Sequence, residues 1–232
     1  MRNKACGEDG EVWIPGEARS SLSGGENRIG GGRRNGLARG MRISGGVARG
    51  IPLMVPKGDA VRPATDGMRQ AVFSSLGPRV AGAKFLDLFA GSGAYGLEAL
   101  SRGAVGGCFV EKHARTVTLL RQNLTAVCRS LGRGPEGVRV STADATAVGW
   151  PAEEEAPDLV FVDPPYPLIA EVAPKVFARL TEILGSKPDA LVLFELPGGH
   201  EISADGWDCV RRIGKGARQP TVAIFRRGLS PP

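Results

Sequence analysis

The chain is poor in the residues that build metal and redox sites. It has four cysteines and two histidines in 232 residues. Cys6, Cys108, Cys128 and Cys209 stand far apart, with no Cys-x-x-Cys pair and no histidine at zinc-ligand spacing. That pattern excludes a zinc finger and predicts free thiols, with Cys108 in an apolar strand and Cys128 near a helix end, both buried as small hydrophobes. His113 and His200 are isolated from any nucleophile or ligand cluster, which leaves them surface or loop roles. No metal site is expected. Long hydrophobic runs are missing as well: none approaches the roughly 20 residues that cross a bilayer, and the first residues lack the apolar centre of a secretion signal. The expectation is a soluble cytoplasmic protein with no membrane partner.

What is present is material for a core and a basic charge balance. Hydrophobic residues make up 42% of the chain and the formal charge is +6. Basic residues gather in two segments, Arg42, Arg49, Lys57, Arg62 and Arg69, then Arg211, Arg212, Lys215, Arg218, Arg226 and Arg227. These suit a phosphate-binding surface, and equally an ordinary solvated face. Residues 1–40 are rich in Gly, Ser, Arg and Glu without sustained apolar periodicity, so disorder is predicted there. Residues 41–63, broken by Gly and Pro, read as short strands forming a small hairpin. Residues 64–232 hold the main domain. Its first helix, capped by Thr65 or Asp66 and running to about Leu76, carries Met68, Val72, Phe73 and Leu76 on one face.

A βα rhythm follows: strands at 84–89, 107–111, 138–142, 159–162 and 190–196, with helices at 94–102, 114–128 and 169–184. This predicts a doubly wound sheet. Strands at 209–213 and 221–226 are joined by a link too short for a crossover helix, so they form a hairpin and the sheet is mixed.

Acidic residues stand at the carboxyl ends of these strands, where open α/β sheets bind ligands. The turn Ala90-Gly91-Ser92-Gly93, with Gly96, satisfies the dinucleotide pattern G-x-G-x-x-G. Asp87 tilts the reading towards a cationic ligand, because a carboxylate there suits an ammonium group and opposes a pyrophosphate. S-adenosylmethionine carries such an ammonium. Glu111, 24 positions on, ends the next strand at the separation from which an acid reaches ribose hydroxyls. Asp144 and Ala145 end the third, where carboxylate and amide suit an adenine edge. After Leu159–Val162, Asp163-Pro164-Pro165-Tyr166 stops the strand in a stiff corner, since neither proline can donate to the ladder. A carboxylate, a proline carbonyl and an aromatic face together suit a planar ring bearing an amino group. That amino nitrogen is a poor nucleophile and must be held by acceptors. Adenine, guanine and a glutamine amide all fit this corner, and a nicotinamide-dependent dehydrogenase or a non-catalytic RNA-binding factor stays open on the glycines and the charge alone.

The chain resembles the RsmD family of 16S rRNA guanine-N2 methyltransferases. The likeness lies in Arg42-Ile-Ser-Gly-Gly46 with Arg49-Gly50, Arg62-Pro-Ala-Thr-Asp66 with Arg69 and Phe73, Asp87-Leu-Phe-Ala-Gly-Ser-Gly93, and Phe161-Val-Asp-Pro-Pro-Tyr166. It implies a Rossmann-like α/β class I methyltransferase with a mixed seven-stranded sheet, helices on both faces, and an N-terminal hairpin. It implies S-adenosylmethionine as cofactor, yielding S-adenosylhomocysteine, with Asp87, Ala90, Gly91, Ser92 and Gly93 on its methionine part, Glu111 on the ribose, Asp144 and Ala145 on the adenine, and Thr65 in a segment folding over it. Asp163, Pro164, Pro165 and Tyr166 would hold the guanine, and Arg42, Arg49, Arg62 and Arg69 the RNA. The implied partner is 16S rRNA in an assembling 30S particle; the sequence does not give the oligomeric state, and a monomer is the favoured expectation. Gly67 and Gln70 depart from the family, which usually has a basic residue and Glu there.

Overall fold

The computed structural model describes residues 40–56, 66–151, 153–214 and 219–228. The expectations for residues 1–39, Lys57, Arg62, Thr65, Lys215 and Arg218 lie outside the described residues. The described elements are α1 (Asp66–Leu76), β1 (Lys84–Leu88), α2 (Ala94–Ser101), β2 (Gly106–Glu111), α3 (Ala114–Ser130), β3 (Val138–Thr142), β4 (Leu159–Val162), α4 (Ile169–Ile183), β5 (Leu191–Leu196), β6 (Trp207–Ile213) and β7 (Thr221–Arg227). One seven-stranded sheet runs in the order β3-β2-β1-β4-β5-β7-β6, and β7 is antiparallel to both its neighbours. The fold is the mixed Rossmann-like one that the sequence pattern implies.

The strands form where they do because their side chains alternate between two apolar layers. Phe85, Phe109, Phe161, Leu193 and Ile224 face α1, α2 and α3, while Leu86, Leu88, Val110, Val160, Val162 and Phe194 face α4. Asp87, two positions from Phe85, therefore lies on the α2 side. Chain order reverses between β1 and β4, which pair in register from Phe85–Leu159 to Leu88–Val162. That switch point opens a crevice at the carboxyl ends of both strands. The edge strand β6 is blunted by a bulge between Cys209 and Arg211 and by exposed Arg211 and Arg212.

The N-terminal segment is a hairpin without strands, which corrects the expected short strands. Among its described residues one bridge joins Arg42 and Pro52, flanked by backbone bonds from Ile43 to Ile51 (3.0 Å) and from Leu53 to Met41 (2.9 Å). Pro52 has no amide to extend the ladder. The segment is held instead by side chains of α2 and α3. The Ser44 amide and hydroxyl donate to Glu98 (2.7 and 2.8 Å), the Ala48 amide to Ser101 Oγ (2.9 Å), and the Met54 amide to Asn123 Oδ1 (2.8 Å). Gly46, at φ 78°, passes so close to α2 that a Cβ would stand 2.0 Å from the Ser101 carbonyl.

Candidate active site

The end of β1 turns under strain. Phe89 adopts φ 57°, a left-handed conformation that costs a bulky residue on the order of 1–3 kcal/mol and clusters at ligand sites. The turn continues through Ala90 and closes with the Gly93 amide donating to the Ala90 carbonyl (2.7 Å). Its glycines do different work. At Gly93 and Gly96 a Cβ would strike Leu120 at 2.7 Å and Phe109 at 2.4 Å, so those two permit close packing of α2. At Gly91 (φ 54°) the nearest atom would be the Phe89 carbonyl at 3.9 Å, so its surface is open to a ligand. Ser92 is buried; its hydroxyl donates to the Met41 sulfur (3.3 Å) and its carbonyl accepts from Asn123 (2.9 Å), so both groups are engaged within the protein.

Asp87 is buried beneath this turn and accepts the Gly96 amide on Oδ2 at 2.9 Å. Burial raises its pKa from 3.8 to about 8, against the pull of that hydrogen bond and with help from Glu111. Glu111 ends β2 and braces the same turn: Oε2 accepts the Gly91 amide (3.1 Å) and Oε1 the His113 amide (2.9 Å). Asp144, exposed after β3, takes the Thr146 hydroxyl (2.7 Å) and amide (2.8 Å) on Oδ1, and those bonds hold its carboxyl below the ordinary range. Ala145 is buried beside it.

Across the crevice, Asp163 follows β4, its amide donating to the Leu88 carbonyl (3.4 Å). The residue is half-buried, but protein surrounds its carboxyl; desolvation, then the charges of Glu195 and Asp87, push its pKa well up. Pro164 is buried and Pro165 exposed, and Tyr166–Leu168 forms a single 3-10 turn. Asp87, Glu111 and Asp163 thus meet around one crevice, with Asp144 at the end of the adjoining strand.

Two site residues were missed by the sequence reading. Glu195, at the end of β5, is buried and accepts the Tyr95 hydroxyl at 2.7 Å. Its signal was an acid inside the apolar run Leu191–Leu196, the same cue that singled out Asp87. Tyr95, in the first turn of α2, stacks on Phe161 at 5.3 Å.

One expectation is corrected. Arg69 is fully buried: its Nη2 donates to Asp66 and to the Arg42 carbonyl (2.6 Å each), and its Nε stands 3.9 Å from Glu98. A guanidinium enclosed in this way braces the hairpin against α1 and α2 and has no surface to offer RNA. Arg42, half-exposed and 3.4 Å from Asp66, and exposed Arg49 present basic groups outward.

Residues 41–223 match the family model described as Conserved hypothetical protein 95. The chain is 34% identical to Ribosomal RNA small subunit methyltransferase D of Haemophilus influenzae over 67% of its own length and 78% of that protein. The chain belongs to the RsmD family. The Escherichia coli K12 protein of the same name is 39% identical over 54% of this chain, and the chain spans 60% of that relative's length. A solved Escherichia coli structure described as a methyltransferase, yhhF, superposes with a TM-score of 0.65 at 30% identity, covering 81% of this chain and 98% of that one. The RsmD match includes the Asp163–Tyr166 corner and the Gly-rich turn, and stops short of residues 1–40.

Proposed function

We propose that this chain transfers a methyl group from S-adenosylmethionine to the exocyclic N2 of a guanine in 16S rRNA, within an assembling small-subunit particle. The observation that carries the reading is the facing of two halves across the β1/β4 switch point, an acid-lined open turn on one side and the Asp163–Tyr166 corner on the other. The names of the relatives support RNA as the substrate class.

The residues present fit the cofactor. Asp87 is a buried carboxyl held protonated up to about pH 8, and no cationic group is among the influences that the described residues exert on it; the cofactor's ammonium would be such a group. Asp87 would hold that ammonium, the open backbone at Gly91 the methionine part, Glu111 the ribose, and Asp144 with the Ala145 amide the adenine. When bound, S-adenosylmethionine supplies an electrophilic methyl group on a sulfonium centre.

The chain's own residues then present the nucleophile. The guanine leaves its stack to reach a corner at the floor of a crevice, and Tyr166 stacks on it, a contact worth roughly 1–3 kcal/mol. The Asp163 carboxylate and the Pro164 carbonyl accept the two amino hydrogens and fix the nitrogen in line with the methyl group. The nitrogen sheds a proton after transfer, and Asp163, in surroundings that favour its protonated form, takes it. Arg42 and Arg49 would contact phosphates.

Purified small-subunit particles incubated with tritium-labelled cofactor test the reading. N2-methylguanosine in the digested 16S rRNA is expected. Label in adenine, in protein, or nowhere overturns it.

A further inference from the structure

The whole chain contains two tyrosines, Tyr95 and Tyr166, and both hydroxyls converge on one buried carboxyl. Tyr95 belongs to the cofactor side: it follows the Gly93 cap of α2, and its hydroxyl lies 2.7 Å from Glu195 Oε2. Tyr166 belongs to the base side, and its hydroxyl, acting as a donor, is among the influences that lower the pKa of the same carboxyl. The β4/β5 register, with Val162 opposite Phe194, puts Glu195 beside Asp163. Resting on the function proposed above, we propose that Glu195 is a positioning residue that ties the methyl-donor turn to the base-holding corner, fixing the plane of Tyr166 through its hydroxyl and setting the charge of Asp163.

Nothing else in the proposed chemistry requires an acid at this position. Glu195 is almost completely buried, where an unpaired carboxylate is costly, and an apolar residue would suit the run around it. Its surroundings make it the more readily ionised member of the pair with Asp163. Desolvation raises the Glu195 pKa, and two tyrosine hydroxyls and the Arg69 guanidinium of α1 limit that rise, whereas Asp163 faces desolvation and the charges of Glu195 and of Asp87 on β1 and is pushed well up. The Tyr95 ring is itself fixed by its stack on Phe161 of β4, with planes 14° apart, so the carboxyl has a rigid reference on the cofactor side. A shift of the turn that carries Tyr95 is thereby passed to Tyr166 and the base.

Tyrosine-labelled protein shows two ring-carbon NMR resonances, and Tyr95→Phe, which keeps the stack on Phe161, leaves Tyr166 alone and so assigns both. In Glu195→Gln both resonances are expected to move. Methyl transfer to small-subunit particles is expected to fall about tenfold in kcat, the scale of a small misplacement, with cofactor Kd unchanged. The acid limb of the pH-rate profile is expected to move to lower pH, because Asp163 loses a neighbouring negative charge. A Tyr166 resonance that stays in place in Glu195→Gln, or an acid limb that does not move, overturns the proposal. If Glu195→Gln does not fold, Tyr95→Phe carries the test: the Tyr166 resonance must differ from wild type, and an identical one overturns the shared anchor. The resonances do not depend on turnover, so both shifts in Glu195→Gln alongside a wild-type protein that transfers no methyl group refute the proposed reaction and leave the anchor standing.

Discussion

Single carboxyls decide what this site can do, and their protonation gives the first predictions. Asp87 holds its proton up to about pH 8 in the free protein, while an unfolded chain would release it near 3.8. The folded state therefore binds more protons between those values, and the stability associated with Asp87 is full below about pH 4 and lost as pH rises towards 8. A cationic ligand needs the carboxylate, so S-adenosylhomocysteine, which keeps the ammonium, is expected to bind more tightly as pH rises through this window. Asp87→Asn should flatten both trends, measured by calorimetry and by urea unfolding. At the corner, Asp163→Ala should reduce methyl transfer by roughly 10²-fold or more, the effect of removing a group that orients the reacting atom, with the melting temperature retained. Asp87, Glu111 and Asp163 stood out in the sequence because Asp87 lies inside an apolar run and the other two end one, where an acid has no structural reason to be. Arg69 was misread although its spacing held the answer: Arg69, Val72, Phe73 and Leu76 fall at i, i+3, i+4 and i+7, the buried stripe of α1. A basic residue on that stripe braces the interior.

Among elements, the N-terminal hairpin depends most on the rest of the fold. Glu98 of α2 accepts from Ser44 and from Arg102 Nε (2.9 Å) and lies near Arg69, all with its own side chain fully buried. Glu98→Ala leaves those donors without an acceptor, and breaking such a buried charged cluster costs on the order of 3–5 kcal/mol. Chemical denaturation should show that loss; a change below about 1 kcal/mol, the range of a surface ion pair, would mean the hairpin is not held this way. Gly96→Ala should destabilise as well, since its Cβ would lie 2.4 Å from Phe109 and 2.6 Å from Phe85. The central strands of the sheet, such as β4 and β5, were legible because burial on both faces writes a continuous apolar run. The hairpin itself was read from its Gly and Pro turns, but its attachment was not, because its bonds go to Glu98, Ser101 and Asn123, more than 50 positions away, and no local periodicity records them.

For the molecule as a whole, topology unites the two halves of the site. The turn after β1 and the corner after β4 are more than 70 positions apart in sequence, yet the strand order makes them neighbours. Among the described residues no helix is long and apolar enough to cross a membrane. A nicotinamide dinucleotide would bring a pyrophosphate against Asp87 and Glu111, so S-adenosylhomocysteine should raise the melting temperature and NADH should not. The most direct test of the central claim, that crevice and corner form one methyl-transfer site for rRNA, is a map of methylated guanines in 16S rRNA from cells lacking this gene. One guanine is expected to lose its N2-methyl group, regain it with the wild-type gene and not regain it with Asp163→Ala. A full set of methylated guanines in the deletion strain, or rescue by Asp163→Ala, would contradict it.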